Sequence, residues 1–121
     1  SGDALESGSI VVDGLVDYPM TLTVMDMDYM YWVTTTAQHP EQGATEYQGV
    51  MLNDVFSYIG ARDGATTLVL TGADGTTAEV ALADIGEDAL LAVDDDDVMS
   101  TVMPGLDASA WVDDLVGMTL K

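Results

Sequence analysis

The sequence predicts an α+β domain in which mixed short strands surround one main helix, and three observations carry that reading. Leu52, Val55, Phe56 and Ile59 recur at i, i+3, i+4 and i+7, which lines one face of a helix with apolar side chains. The remaining periodic stretches are short, alternating or β-branched, and Gly, Pro and Asp-Gly turn signals bound them. Strands and helices do not alternate along the chain as a doubly wound parallel sheet requires.

Taken in order, Ile10-Val11-Val12 runs into the turn signal Asp13-Gly14, and a second short β run, Leu15-Val16, precedes Asp17-Tyr18-Pro19. Met20 to Val24 alternates and is β-branched, so a strand is expected there. Met25 to Met30 is acidic and Met-rich and predicts a single helical turn whose thioethers fill the core. Trp32 to Ala37 has the strongest strand propensity in the chain, and Gln38 to Ala44 follows as a polar loop. The main helix is expected over 47–60, with Gly60 as its stop because glycine adopts the left-handed conformation without penalty.

Beyond it, Thr66 to Thr71 and Thr76 to Leu82 form a hairpin across Gly72-Ala73-Asp74-Gly75. Ala83 to Gly86 is a turn. Ala89 to Val93 is apolar throughout, and periodicity alone leaves it helix or buried strand. Asp94 to Asp97 reads as a solvated turn, Val98 to Met103 ends at Pro104-Gly105, and Val116 to Leu120 is a terminal strand. Trp111 is expected to close the core against that strand, with Trp32, Tyr29, Tyr31 and Tyr58 in the core or at its margin.

The chain has 121 residues, enough for one core without covalent staples, and no repeat or internal linker divides it. Residues 1–9 read as a flexible N-terminal segment and 10–121 as a single domain. The net charge of -20, from 22 acidic residues against Arg62 and Lys121, repels phosphate backbones and anionic bilayers. Nucleic acid and anionic membrane surfaces are therefore excluded as partners, and an unknown small molecule or protein is left. A hydrophobic fraction of 48% separates the chain from disordered acidic tails. No apolar run approaches the roughly 20 residues of a membrane-spanning helix. The small, polar start without an initiator Met reads as a trimmed piece of an exported protein, so an extracytoplasmic or cell-envelope location is expected.

Few residues carry chemistry. His39 is the lone histidine, placed before Pro40 in a polar stretch with no zinc-type spacing around it. Asp94, Asp95, Asp96 and Asp97 offer hard oxygen ligands for calcium but lack the alternation of an EF-hand loop. Asp54 and Asp84 suit helix or turn starts, where carboxylates complement exposed amides. No phosphate-binding glycine loop and no hydrolytic triad ordering is present.

A set of pieces in order supplies a resemblance: Gly14-Leu15-Val16 with Pro19, Leu22-Thr23, Tyr47-Gln48-Gly49-Val50 and Leu52-Asn53-Asp54-Val55. These continue with Gly60, Gly64-Ala65, Gly72 to Gly75, Leu82 to Ile85, Ala89 to Ala92, Pro104-Gly105 and Trp111-Val112. Over residues 10–120 they resemble the oxidoreductase molybdopterin-binding domain of the sulfite oxidase family, in the small stand-alone versions of bacterial envelope proteins. The resemblance implies a sulfite-oxidase-type molybdopterin-binding-domain-like fold and a pocket lined by Gln38, His39 and Tyr47. Catalytic members of that family hold molybdenum through a cysteine thiolate after the strand that precedes the main helix, a position falling here in Thr34 to His39.

This chain has no cysteine, and hydroxyls and amides are poor substitutes for a soft thiolate. The family's anion-gripping Gly-Pro-(x)-Arg stretch corresponds to Asp94 to Gly105, which contains four aspartates and no arginine. What the resemblance implies is thus a pterin-binding-like domain without catalysis, acting as a binding or interaction module, with no cofactor expected and molybdopterin implied by the family alone. Two alternatives stand beside it: a cofactor-binding subunit of a molybdopterin-dependent oxidoreductase, and a calcium-dependent envelope or adhesion domain using the aspartate run.

Overall fold

The computed structural model describes residues 6–121. Of the expected flexible segment 1–9, the first five residues lie outside that range, and Ser9 is already the first residue of a strand. The strands are β1 (Ser9–Gly14), β2 (Met20–Thr23), β3 (Trp32–His39), β4 (Gly43–Met51), β5 (Thr67–Gly72), β6 (Thr77–Ala81), β7 (Leu90–Val93), β8 (Met99–Val102) and β9 (Leu115–Leu120). Two helices interrupt them, α1 (Val24–Met27) and α2 (Leu52–Ile59), so the domain is α+β and mostly strand.

The strands form a five-stranded sheet in the order β2-β1-β9-β5-β6 and a four-stranded sheet in the order β3-β4-β7-β8. β1 and β9 run parallel, and the other pairs are antiparallel. One core cluster joins both sheets to α2, through Ile10, Val12 and Leu22, Leu68, Leu70 and Met118, and Leu90, Leu91 and Val102. In β5 burial alternates with the two-residue period of a strand, so Leu68, Leu70 and Gly72 are buried on one side, whereas β7 is buried on both faces over Leu90 to Ala92.

The apolar stripe behaves as its spacing requires. Leu52, Val55 and Ile59 are fully buried, and Phe56 packs at the core margin. Gly60 ends the helix in the left-handed conformation (φ 70°, ψ 51°), and the Ala61 N–H closes the last turn on the Phe56 carbonyl at 2.9 Å. The helix start differs from the sequence reading by five residues. Tyr47 to Met51 is the end of β4, paired with β3 through Thr35↔Tyr47 and Val33↔Gly49. None of the stripe residues precedes Leu52, so the helical period never reached that segment. No Ser, Thr, Asp or Asn caps α2; its Leu52 N–H donates instead to the Ala89 carbonyl at 2.9 Å, a tertiary cap supplied by the approach to β7.

Three further expectations change. The polar loop over 38–44 shrinks to Pro40-Glu41-Gln42, because β3 continues to His39 and pairs it with Gly43. Leu15-Val16 is not a strand: Gly14 turns the chain at φ 90°, and Val16 keeps one isolated bridge to Ala61. Ala89 to Val93 resolves as the buried strand β7, because β4 and β8 flank it on both sides.

Aromatic placement also departs from expectation. Trp111 is buried, yet Tyr29 and Tyr31 are 81% and 80% exposed and Trp32 is partly exposed. Met27 enters the core while Met25 is 78% exposed. Met27 is the one residue of α1 that is fully buried, with Val24 and Met30 packed at the core margin; the link after α1 then crosses the surface to reach β3.

Candidate functional site

Two regions of the surface concentrate chemistry-bearing side chains. The first is the β3–β4 ribbon, where the pairing with β7 covers only Gly49 to Met51, so the distal half of the hairpin extends past the sheet on that side. Strand alternation divides its side chains. His39 and Tyr47 lie on the face that meets Trp111, with ring centroids 4.8 Å and 6.1 Å from the indole. Gln38, one residue from His39, is on the opposite, exposed face. Of the three residues expected to line a pocket, His39 and Tyr47 are therefore brought together and Gln38 is directed away.

The imidazole is engaged by its own hairpin. His39 Nδ1 accepts the backbone N–H groups of Glu41 at 3.0 Å and Gln42 at 3.1 Å. Trp111 is held beneath it by a donated bond from its Nε1 to the Leu106 carbonyl at 3.3 Å and by the buried Thr101. The Thr101 hydroxyl donates to the Ala110 carbonyl at 2.7 Å and accepts the Val112 N–H at 2.8 Å, pinning both neighbours of the indole to β8.

The second region is a groove of about 290 Å³ between α2 and the link that follows α1, lined by Tyr29, Met30, Tyr31, Asp54, Ser57 and Tyr58. Asp54, Ser57 and Tyr58 share one helix face because they are three and four residues apart. Asp26 organises the opposite wall. One carboxylate oxygen accepts the Thr23 N–H at 2.8 Å and closes the first turn of α1, and the other accepts the Tyr58 hydroxyl at 2.8 Å. Tyr58 in turn stacks on Tyr29, with centroids 6.3 Å apart and planes 16° from parallel. The phenol of Tyr58 is held above its ordinary pKa, first by its hydrogen bond to Asp26, then by burial and by the Asp26 charge, all of which favour the neutral form.

Sequence reasoning placed these tyrosines in the core or at its margin, which holds for Tyr58 but not for Tyr29 and Tyr31, and missed the groove. The available signal was Tyr29 and Tyr31 alternating with Met30 beside Asp26 and Asp28, but exposure is not encoded in that pattern.

Asp94 to Asp97 joins β7 to β8. Asp94 Oδ1 accepts the N–H groups of Asp96 at 2.8 Å and Val98 at 3.0 Å, while Asp95, Asp96 and Asp97 are exposed. Among the described residues, no group of three or more His, Asp or Glu side chains is arranged to hold a metal ion. Both cations are committed at the surface, Arg62 Nε to Asp17 at 3.0 Å and Lys121 Nζ to Glu79 at 3.4 Å. Among the described residues, no helix is long and apolar enough to cross a membrane.

No family profile and no curated protein matches the chain. Among solved structures, it is similar to the sulfane dehydrogenase SoxCD from Paracoccus pantotrophus, with a TM-score of 0.77 over 93% of this chain at 19% identity. The domain spans 37% of that chain and shares its fold over that portion.

Proposed function

We propose that this domain is a non-catalytic binding or interaction module of an envelope protein, built on the sulfite-oxidase-type molybdopterin-binding fold. The fold likeness to part of SoxCD supports the architecture. The donor set of the β3–β4 ribbon carries the non-catalytic reading. Where the family resemblance calls for a soft thiolate, this chain presents threonine hydroxyls, the Gln38 amide and an imidazole whose Nδ1 already serves two hairpin amides. Nor is there a free cation for the anionic groups of a pterin, since Arg62 and Lys121 are both paired with carboxylates. The residues present do not fit a molybdenum-bound pterin. Protein purified from its native host should carry no stoichiometric molybdenum or pterin, by metal analysis and absorbance; stoichiometric molybdenum overturns the reading.

A second reading, a cofactor-carrying subunit of an oxidoreductase, is favoured by one observation: the similar structure is a dehydrogenase of which this domain spans only part. It requires pterin to copurify and its retention to fall in His39→Ala and Tyr47→Ala; unchanged retention in both removes it.

A further inference from the structure

We propose that the groove between α2 and the Tyr29–Tyr31 link is a docking site for a basic segment of a partner protein, one of whose arginine or lysine side chains inserts among Tyr29, Tyr31 and Tyr58. The proposal rests on the interaction-module reading and names the partner's chemistry.

Four observations converge on that occupant. Tyr29 and Tyr31 are four-fifths exposed, an arrangement that leaves large aromatic surfaces in water beside a recess instead of in the core. The recess combines ring faces with the half-buried Asp54 carboxylate and the Ser57 hydroxyl, both directed from α2. Ring quadrupoles attract a cation over their faces, and the carboxylate supplies a charge-assisted acceptor for its N–H groups. The Asp26 bond and the stack on Tyr29 fix Tyr58 in advance, so little side-chain freedom is lost on binding at that wall.

Charge selects the class of partner. The chain carries a net charge of -20, and neither of its two cations, paired with Asp17 and Glu79, lines the groove. A basic segment is therefore steered towards this molecule from a distance and meets no positive charge at the recess. Met25, on the helix that carries Asp26, is 78% exposed and offers further apolar surface for a peptide beyond the inserted side chain.

The test titrates the protein with a short arginine-rich peptide at physiological salt, followed by calorimetry and by the ring resonances of the tyrosines. The double variant Tyr29→Ala/Tyr31→Ala, which removes no charge and deletes two exposed rings together with the Tyr29 stack on Tyr58, is expected to weaken binding about tenfold while lowering the melting temperature by no more than about 5 °C. The triple variant Asp95→Asn/Asp96→Asn/Asp97→Asn removes three charges from the β7–β8 turn and is expected to weaken binding by no more than about twofold. Equal binding by the double variant and the parent overturns the proposal, as does a triple variant weakened as much as the double. Tetramethylammonium at millimolar concentration should not displace the peptide; displacement identifies a small-ion site and overturns the proposal. A concentration-dependent dimer abolished by the double variant would assign the face to a second copy of this chain, and also overturns it. Molybdenum content bears on the module reading and the titration on the groove, so failure of one is distinguishable from failure of the other.

Discussion

Thr101→Val replaces a buried hydroxyl with a methyl of nearly the same shape, and hydrophobicity alone would call the change harmless. Thr101 is 2% exposed, and its hydroxyl both donates to the Ala110 carbonyl and accepts the Val112 N–H. Valine leaves both groups without a partner. An orphaned buried polar group costs about 1–3 kcal/mol, and the half-buried Val112 amide belongs at the lower end of that range. The added methyl returns about 0.8 kcal/mol, so the net loss is about 2–3 kcal/mol. Thr101→Ser keeps both bonds and deletes one methyl, a loss of about 1 kcal/mol with the small cavity included. At this chain length the difference appears as a melting temperature lowered by about 10 °C for the valine variant and about 4 °C for the serine variant. Urea unfolding followed by tryptophan fluorescence measures both. A valine variant as stable as the serine variant, or more so, would refute the assignment of the hydroxyl as the clamp that holds Trp111 under His39 and Tyr47.

Other perturbations test separate parts of the molecule. A β-carbon added at Gly49 would stand 2.1 Å from the Leu91 carbonyl oxygen and 2.7 Å from Ala92 Cα. Gly49→Ala should therefore cost about 3 kcal/mol or more, whereas Gly75→Ala, with open space but φ 87°, should cost about 1–2 kcal/mol in urea titrations. Asp26→Asn should lower the pH at which Tyr58 ionises, read by tyrosinate absorbance, because the hydrogen bond and charge that raise its pKa are weakened. With the folded phenol raised, the stabilising bond is complete below the ordinary tyrosine pKa and is lost as pH rises through the folded value. The parent should then lose more stability on alkalinisation than Asp26→Asn; identical alkaline melting profiles would contradict that linkage. Asp94→Ala should destabilise by about 1 kcal/mol through loss of the Asp96 and Val98 amide bonds, while Asp95→Ala is neutral by thermal melting. Millimolar calcium should leave the melting temperature of the parent unchanged, and a calcium-dependent rise absent from Asp94→Ala would support the cation-binding reading of this turn.

The α2 stripe, the Gly60 stop and the Gly72–Gly75 hairpin were legible because each depends on neighbours within a few residues: a 3.6-residue period, a left-handed position, an Asp-Gly turn. The start of α2 was not, because its cap is the Ala89 carbonyl, thirty-seven positions away from Leu52 along the chain. Tyr47 read as helical for the same reason, since only its pairing with Thr35 declares it a strand. At the candidate site, His39 and Tyr47 were named through the resemblance and meet on one face beside Trp111, while the strand pleat separates Gln38 from them. Tyr29 and Tyr31 were misplaced because aromatic character favours burial on average, while Met27, with Val24 and Met30 at the margin, takes the inward positions of this segment.

From composition and order alone follow the strongly acidic net charge, the absence of any thiolate, the α+β class and the buried face of the main helix. These are properties of residues or of short windows. Which sheet each strand joins, the parallel meeting of β1 with β9, the seating of Trp111 beneath His39 and Tyr47, and the emergence of the Tyr29–Tyr31–Tyr58 groove belong to the tertiary structure. Each depends on groups far apart in the chain competing for the same buried volume and the same backbone partners, a competition that no local pattern contains.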